Sequence, residues 1–205
     1  MTDIPPKPRF PRQIETSRLI IRPPMPGDGV EVNAAIRETY DGLNRWMPWA
    51  DHIPEIDETE TNRVRSYANF LEGADCSVQA FLKSTGEVAV FSGLHRGNPK
   101  VPSYEIGYWC RAKFQGQGYV AEVVRALTRV GFEHMKAKRV EILCDSQNEN
   151  SRKVAERTGF LKEAELRNHA TATDGSIRTT LIFGMIPDEF AELLKRAPDQ
   201  YEVKY

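Results

Sequence analysis

The chain has 205 residues, enough for one sizeable core and few for two. Its 28 Lys and Arg balance 29 Asp and Glu, for a formal charge of −1, which speaks against a dedicated nucleic-acid binder with a concentrated basic patch. No apolar run approaches the roughly twenty residues of a membrane helix, and the start of the chain, with Pro5, Pro6, Pro8 and Pro11, lacks the apolar stretch of a signal peptide, so a cytoplasmic protein without a membrane partner is expected.

In chain order, residues 1–13 read as a Pro-rich, loosely held arm, and Arg18-Leu19-Ile20-Ile21-Arg22 as an opening strand ended by Pro23, Pro24 and Pro26. Asp28 is placed to cap a helix running to about residue 38. An aromatic loop over residues 40–49 follows, then a polar helix over 58–72. Residues 77–83 and 88–95 form a hairpin around Ser84-Thr85-Gly86, and residues 104–110 extend the same antiparallel sheet. A long helix is predicted over 118–136, where Val120, Val123, Val124, Leu127 and Val130 recur at helical spacing. Residues 139–144 alternate again, and a strand joined to its predecessor through a helix lies parallel to it by the right-handed crossover rule. Asn150 and Ser151 open a short helix ending at Gly159, after which residues 160–168 pair with 177–186 across the Asp174-Gly175 turn. The expected fold is one α/β (α+β) domain over residues 14–187, a mixed, twisted sheet of about six to seven strands flanked by helices. Residues 188–205 form a C-terminal extension.

The stretch Phe114-Gln115-Gly116-Gln117-Gly118-Tyr119-Val120 lies where the strand gives way to the long helix. Two glycines there let the backbone turn tightly and approach a ligand, while the free N–H groups and positive dipole end of the helix attract an anion such as a pyrophosphate. A plain capped loop accounts for the same residues, so the turn by itself is weak. It is not a Walker loop, because Tyr119 follows Gly118, and Ala121 stands where a Rossmann fingerprint has its third glycine. Cys76, Cys110 and Cys144 come without a C-x-x-C or a His cluster and read as reduced core thiols, with no metal site expected.

At Gln115, Gly118 and Val120 the chain resembles the GNAT superfamily of N-acetyltransferases, whose acetyl-coenzyme A signature is Q/R-x-x-G-x-G/A; Val120 departs from the small final residue. The resemblance continues through Glu105-Ile106-Gly107-Tyr108-Trp109, Asn150-Ser151, Thr158-Gly159-Phe160, Glu15-Thr16-Ser17-Arg18-Leu19 and Leu43-Asn44-Arg45-Trp46-Met47-Pro48-Trp49, and it points to the RimJ/RimL-like branch. It implies that the two central strands splay apart at a bulge and that the pantetheine arm of acetyl-CoA inserts between them. It also implies a pyrophosphate at Gln115, Gly116, Gln117, Gly118, Tyr119 and Val120, with further cofactor contacts at Trp109, Cys110, Arg111 and Asn150.

Acetylation of an amine needs a neutral amine beside the thioester, polarisation of its carbonyl, and a proton for the departing thiolate. The resemblance assigns the oxyanion to a backbone N–H near Trp109 or Cys110, and the proton to Ser151; helix capping is the competing account of Asn150 and Ser151. Relatives that carry a glutamate ten residues past the Phe of the Gly-Phe pair have no counterpart here, because that position is Ala170. Glu105, on one side of its strand with Gly107 and Trp109, is the preferred base and His169 the second, although Glu105 also reads as a solvated or salt-bridged carboxylate. Cys110, lacking a His beside it in sequence, reads as a core residue rather than an acyl carrier. Tyr40, Trp46 and Trp49, with His169, are assigned to the acceptor side. The function expected is direct acetyl transfer from acetyl-CoA to a primary amine, a protein N-terminus or a small molecule, by a chain for which a homodimer is left open. A non-catalytic acyl-CoA sensor is the alternative that Ala170 favours.

Overall fold

The computed structural model describes residues 9–98, 100–196 and 201–205, so most of the proline-rich arm lies outside the described residues. Its elements are β1 (Gln13–Glu15), β2 (Leu19–Arg22), α1 (Gly29–Trp46), α2 (Ile56–Glu72), β3 (Ser77–Leu82), β4 (Val88–Arg96), β5 (Ser103–Cys110), α3 (Tyr119–Arg129), β6 (Arg139–Asp145), α4 (Glu149–Arg157), β7 (Leu161–Thr171), β8 (Ile177–Met185), α5 (Pro187–Arg196) and β9 (Glu202–Lys204). The strands form one mixed sheet in the order β7-β8-β6-β5-β4-β3-β2-β1-β9. Among the described residues nine strands replace the six or seven expected. The two additions, β1 and β9, are three residues each, too short for an alternation to show, and β9 meets β1 only after α5 has turned the chain back.

Alternating side chains divide the sheet between two cores. Tyr104 and Ile106 of β5 point into a cluster with Val123, Val124 and Leu127 of α3 and Phe190 of α5. On the opposite side Phe91 of β4 packs with Val32, Ala35, Ile36 and Leu43 of α1, and Trp109 of β5 leans on that group. At roughly 25 cal/mol per Å² of apolar area removed from water, these two clusters are the main force holding the helices to the sheet.

Several local expectations are corrected. Residues 40–46 are not loop but the last turns of α1, because Leu43 falls on the buried face in helical register; the helix stops at Met47, which precedes Pro48 and is extended. Asp28 does not cap α1 with its side chain. It accepts a bidentate pair of bonds from Arg22 at 2.8 Å, and the carboxylate of Glu60, from α2, receives the N–H groups of Gly27 and Gly29 instead. The long helix stays α-helical only to Arg129 and widens to a π turn over Val130–His134. The cap of α4 is Asn148, whose side chain accepts the Ser151 N–H at 3.1 Å, so Asn150 and Ser151 are relieved of that duty.

Candidate active site

Among the described residues β5 and β6 are the one parallel pair, and they stay together only from Ser103–Glu105 against Arg139–Glu141. Beyond that, β5 runs on to Cys110 against β4 alone while β6 runs to Asp145 against β8, and a wedge opens between them. No bulge is needed: the β4–β5 register is unbroken from Val90 to Arg96, and the shifts fall at Ala80/Phe81, Lys162/Ala164 and Leu166/Ala170. The parting of the strands follows from the different partners they keep.

The alternation of an antiparallel ladder decides which backbone groups face the wedge. Gly97 donates to the Ser103 carbonyl and Arg111 to the Ala89 carbonyl, so odd-numbered residues of β5 bond to β4. The N–H and C=O groups of Ile106, Tyr108 and Cys110 therefore point into the wedge. Of the two N–H groups expected for the oxyanion, that of Cys110 faces the wedge and that of Trp109 faces β4.

The wedge leads to the glycine turn. A 3-10 turn, Ala112–Phe114, is anchored on α1: Ala112 donates its N–H to the Thr39 hydroxyl at 3.0 Å and Lys113 its own to Glu38 at 2.9 Å. Gly116 and Gly118 then take φ of +75° and +81°, left-handed values that side chains disfavour, and α3 begins at Tyr119 with its first N–H groups directed out of the helix. Nothing lies within 4 Å of where a Gly116 side chain would start, so this surface is open to a ligand. Gln115 and Gln117 shape the turn rather than project from it, donating to the carbonyls of Cys110 and Lys113, each at 3.1 Å.

Arg18 was not foreseen here, although it lies within the Glu15–Leu19 stretch that carried the resemblance. Its guanidinium sits 4.3 Å from the Tyr119 ring centroid and donates to the Gln117 carbonyl at 3.0 Å. It also pairs at 2.6 Å with Glu122, a buried carboxylate in the first turn of α3 that accepts from Thr16, Ser17 and the Arg18 backbone as well. Burial would raise the Glu122 carboxyl, but the bonds from Thr16 and Arg18 outweigh it and hold the group below its usual range. Arg111, by contrast, is turned away. Its guanidinium binds Glu38 at 2.7 Å, with Glu31 at 3.9 Å, which leaves Arg18 as the cation over the turn.

On one side of the wedge stands Ser151. Tyr108 donates to its carbonyl at 3.1 Å, and the two hydroxyls lie 3.0 Å apart. Burial pushes the Tyr108 phenol well above its ordinary range, so it stays protonated. Asn150 is exposed on the first turn of α4. Cys110 is also held protonated, its thiol pushed up to about 12 by burial, which suits a core residue rather than a nucleophile.

On the other face of β5 an open cleft of about 840 Å³ lies between the sheet and the α1–α2 pair, with Trp49, His52, Glu58, Arg63, His95 and Trp109 in its walls. Trp109 stacks on Phe91 at 3.8 Å between centroids and faces Trp49 at 6.3 Å, so its ring belongs to this cleft and not to the wedge. Trp49 is half exposed, as a cleft wall requires. The other aromatic candidates are dispersed. Tyr40 donates to the Asp51 carbonyl, and Trp46 packs on the guanidiniums of Arg45 and Arg178 in a separate polar groove of about 410 Å³. His169 lies on exposed β7, 3.1 Å from Thr180, within the register shift between Leu166 and Ala170. Glu105 is half-buried, and burial raises its carboxyl; His95, opposite it on β4, partly offsets this.

A splayed parallel pair feeding a left-handed glycine turn, with a second cleft across the strand, gives a groove that could take an extended chain on one side and an open cleft on the other. Residues 18–161 match the family described as acetyltransferase (GNAT) domain, and the chain belongs to that family. YdaF of Bacillus subtilis (strain 168), provisionally named a ribosomal N-acetyltransferase, is 30% identical over 147 residues, 70% of this chain and 78% of that protein. The ribosomal-protein-serine acetyltransferase of Escherichia coli (strain K12) is 36% identical over 82 residues, 38% of this chain and 46% of its own. Among solved structures, RimL, a ribosomal alpha-N-protein acetyltransferase in complex with coenzyme A, superposes with a TM-score of 0.76 at 19% identity, covering 88% of this chain and 98% of that one.

Proposed function

We propose that this protein transfers the acetyl group of acetyl-CoA directly to a chain N-terminus, and that it works in the cytoplasm. The observation that carries the reading is the wedge beside Ile106, Tyr108 and Cys110, which presents strand-edge N–H and C=O groups in line with the Gly116–Gly118 turn. An extended arm bearing amides would pair with that edge while its phosphates rest on the α3 N-terminus. Arg18 adds positive charge there, and Asn150 is free to bind the arm. The relatives named for ribosomal and ribosomal-protein-serine acetylation favour a peptide acceptor, and the cleft is open with a volume of about 840 Å³.

In this arrangement the Cys110 N–H donates to the thioester oxygen as negative charge develops on it, a role that needs no particular side chain. The amine arrives from the cleft lined by Trp49 and Trp109 and loses its proton toward the His95–Glu105 end. Ser151, with Tyr108 behind it, protonates the departing thiolate. The test is coenzyme A release with acetyl-CoA over a panel of N-terminal peptides, polyamines, amino acids and aminoglycosides. Turnover on peptides above the rest is expected. Tight acetyl-CoA binding without turnover on any amine would instead make the protein an acyl-CoA sensor.

A further inference from the structure

The centre of the acceptor cleft is a bare patch. On β4 and β5, Gly93 stands opposite Gly107, with the Phe91–Trp109 stack at one end and His95 opposite Glu105 at the other. The His95 ring lies across this patch: a Cβ at Gly93 would fall 2.5 Å from its Cε1 and Nε2, and one at Gly107 would lie 3.8 Å from Nε2. Glycine at 93 is what lets the ring lie flat, and the open surface at Gly107 leaves Nε2 facing the cleft.

The other nitrogen is spoken for. His95 Nδ1 is 2.7 Å from Asp75 Oδ1, and the Ser77 hydroxyl donates to the second oxygen of Asp75 at 2.5 Å. Burial would raise the Asp75 carboxyl, but these bonds outweigh it and keep it ionised. An ionised Asp75 requires the hydrogen on Nδ1, which leaves a lone pair on Nε2 in the neutral ring.

We propose that His95 is the catalytic proton acceptor of the acetyl transfer, taking a proton from the incoming ammonium on Nε2, with Asp75 as its positioning residue. The assignment rests on the acetyl-transfer reading above. One ammonium proton passes to Nε2 and on to solvent; the freed lone pair forms the new C–N bond; the C–S bond breaks, and the second proton ends on the thiolate through the Ser151 hydroxyl. Glu105 then stabilises the imidazolium instead of accepting the proton itself: His95 lines the cleft, and Glu105 stands opposite it on β5. The residue pair accounts for a chain with Ala170 at the position of the missing glutamate.

The arrangement selects its substrate. An α-ammonium, at about pKa 8, gives its proton to an imidazole far more readily than a lysine side chain at about 10.4. The charged groups facing the ring are Asp75 from the turn before β3 and Glu105 from β5, with His52, Glu58, Arg63 and Arg65 across the cleft. Asp75, first, and Glu105 raise the imidazole above its ordinary value against the effect of burial, so the rate should climb with pH through a raised His95 value as the ring loses its proton.

The experiment measures kcat/KM against pH for peptides with a free α-amine and for blocked peptides with a free lysine, with acetyl-CoA binding followed by calorimetry. His95→Gln should lower kcat/KM by about 100-fold or more and flatten the acidic limb, with the acetyl-CoA Kd unchanged. Asp75→Asn should move that limb to lower pH, an effect that a merely structural role would not produce. A His95→Gln enzyme that keeps both its rate and its acidic limb overturns the assignment. Should that variant fail to fold, an unmoved limb in Asp75→Asn overturns it alone. Wild-type inactivity on every amine would overturn the acetyl-transfer reading itself.

Discussion

Gly118 is the residue at which the proposed cofactor binding is tested most sharply. Its φ of +81° excludes other residues only mildly, at about 1–2 kcal/mol, whereas a negative charge there would sit within reach of Arg18 and in the path of a phosphate. Gly118→Ala should therefore lose some stability and keep acetyl-CoA binding, while Gly118→Asp should weaken binding by about 100-fold or more at an unchanged fold. Calorimetry on the pair separates charge from strain. Unchanged affinity in a folded Gly118→Asp would place the phosphates elsewhere, and equal losses in both would assign the effect to backbone strain. Ser151 has a different signature. Because it acts on the leaving group, Ser151→Ala should reduce kcat by about 100-fold and leave the KM for acetyl-CoA near its wild-type value. An unchanged kcat would leave Ser151 with only its bond to Tyr108.

At the scale of elements, the clamp between the β1–β2 turn and α3 stands out. Glu122 gathers bonds from Thr16, Ser17 and Arg18, and it fixes both the axis of α3 and the guanidinium above the glycine turn. Glu122→Gln keeps the size and loses the charge, at an expected cost of about 1–3 kcal/mol, or roughly 2–12 °C in Tm for a chain of this length. The sign of the pH dependence follows from the lowered carboxyl. Its stabilisation is complete above the unfolded value of about 4.3 and is lost as pH falls through the lower folded value, so wild type and variant should converge in acid. Thermal melts at several pH values check this, and a gap that persists in acid would contradict it. The same clamp explains why sequence reading missed Arg18: the partners are 104 residues apart, and neither has an unusual local context.

Across the whole molecule α1 links the two proposed substrate sites. Its hydrophobic face forms one wall of the acceptor cleft, its Glu38 and Thr39 anchor the turn leading to Gly116, and its C-terminal carbonyls at Arg45 and Trp46 receive Arg178 from β8. Glu38→Ala removes the anchor and frees Arg111. It should weaken acetyl-CoA binding and raise the KM of the amine together, each by about fivefold, in line with one lost hydrogen bond of about 1 kcal/mol. Steady-state kinetics in both substrates test it; an effect confined to one would show that α1 serves only that site.

What the sequence determined by itself is what is local. Period-two runs placed β2 to β8 to within a few residues, helical spacing placed α3, the crossover rule made β6 parallel to β5, and the glycine turn was visible because only a few residues tolerate such backbone angles. Three-residue strands carry no period, so β1 and β9 were invisible. The tertiary structure alone decided what depends on facing and register. Ladder alternation sent the Cys110 N–H to the wedge and the Trp109 N–H to β4. The glutamates of α1 drew Arg111 away from the turn, Asn148 took the cap that was the competing account of Asn150 and Ser151, and Trp46 and Trp49 went to different cavities. The pairing of His95 with Asp75 belongs to the same kind: the two lie 20 residues apart, on a strand and on the turn before its neighbour. They meet because β3 and β4 are antiparallel, and a sequence holds the residues of such a pair without showing that they face each other.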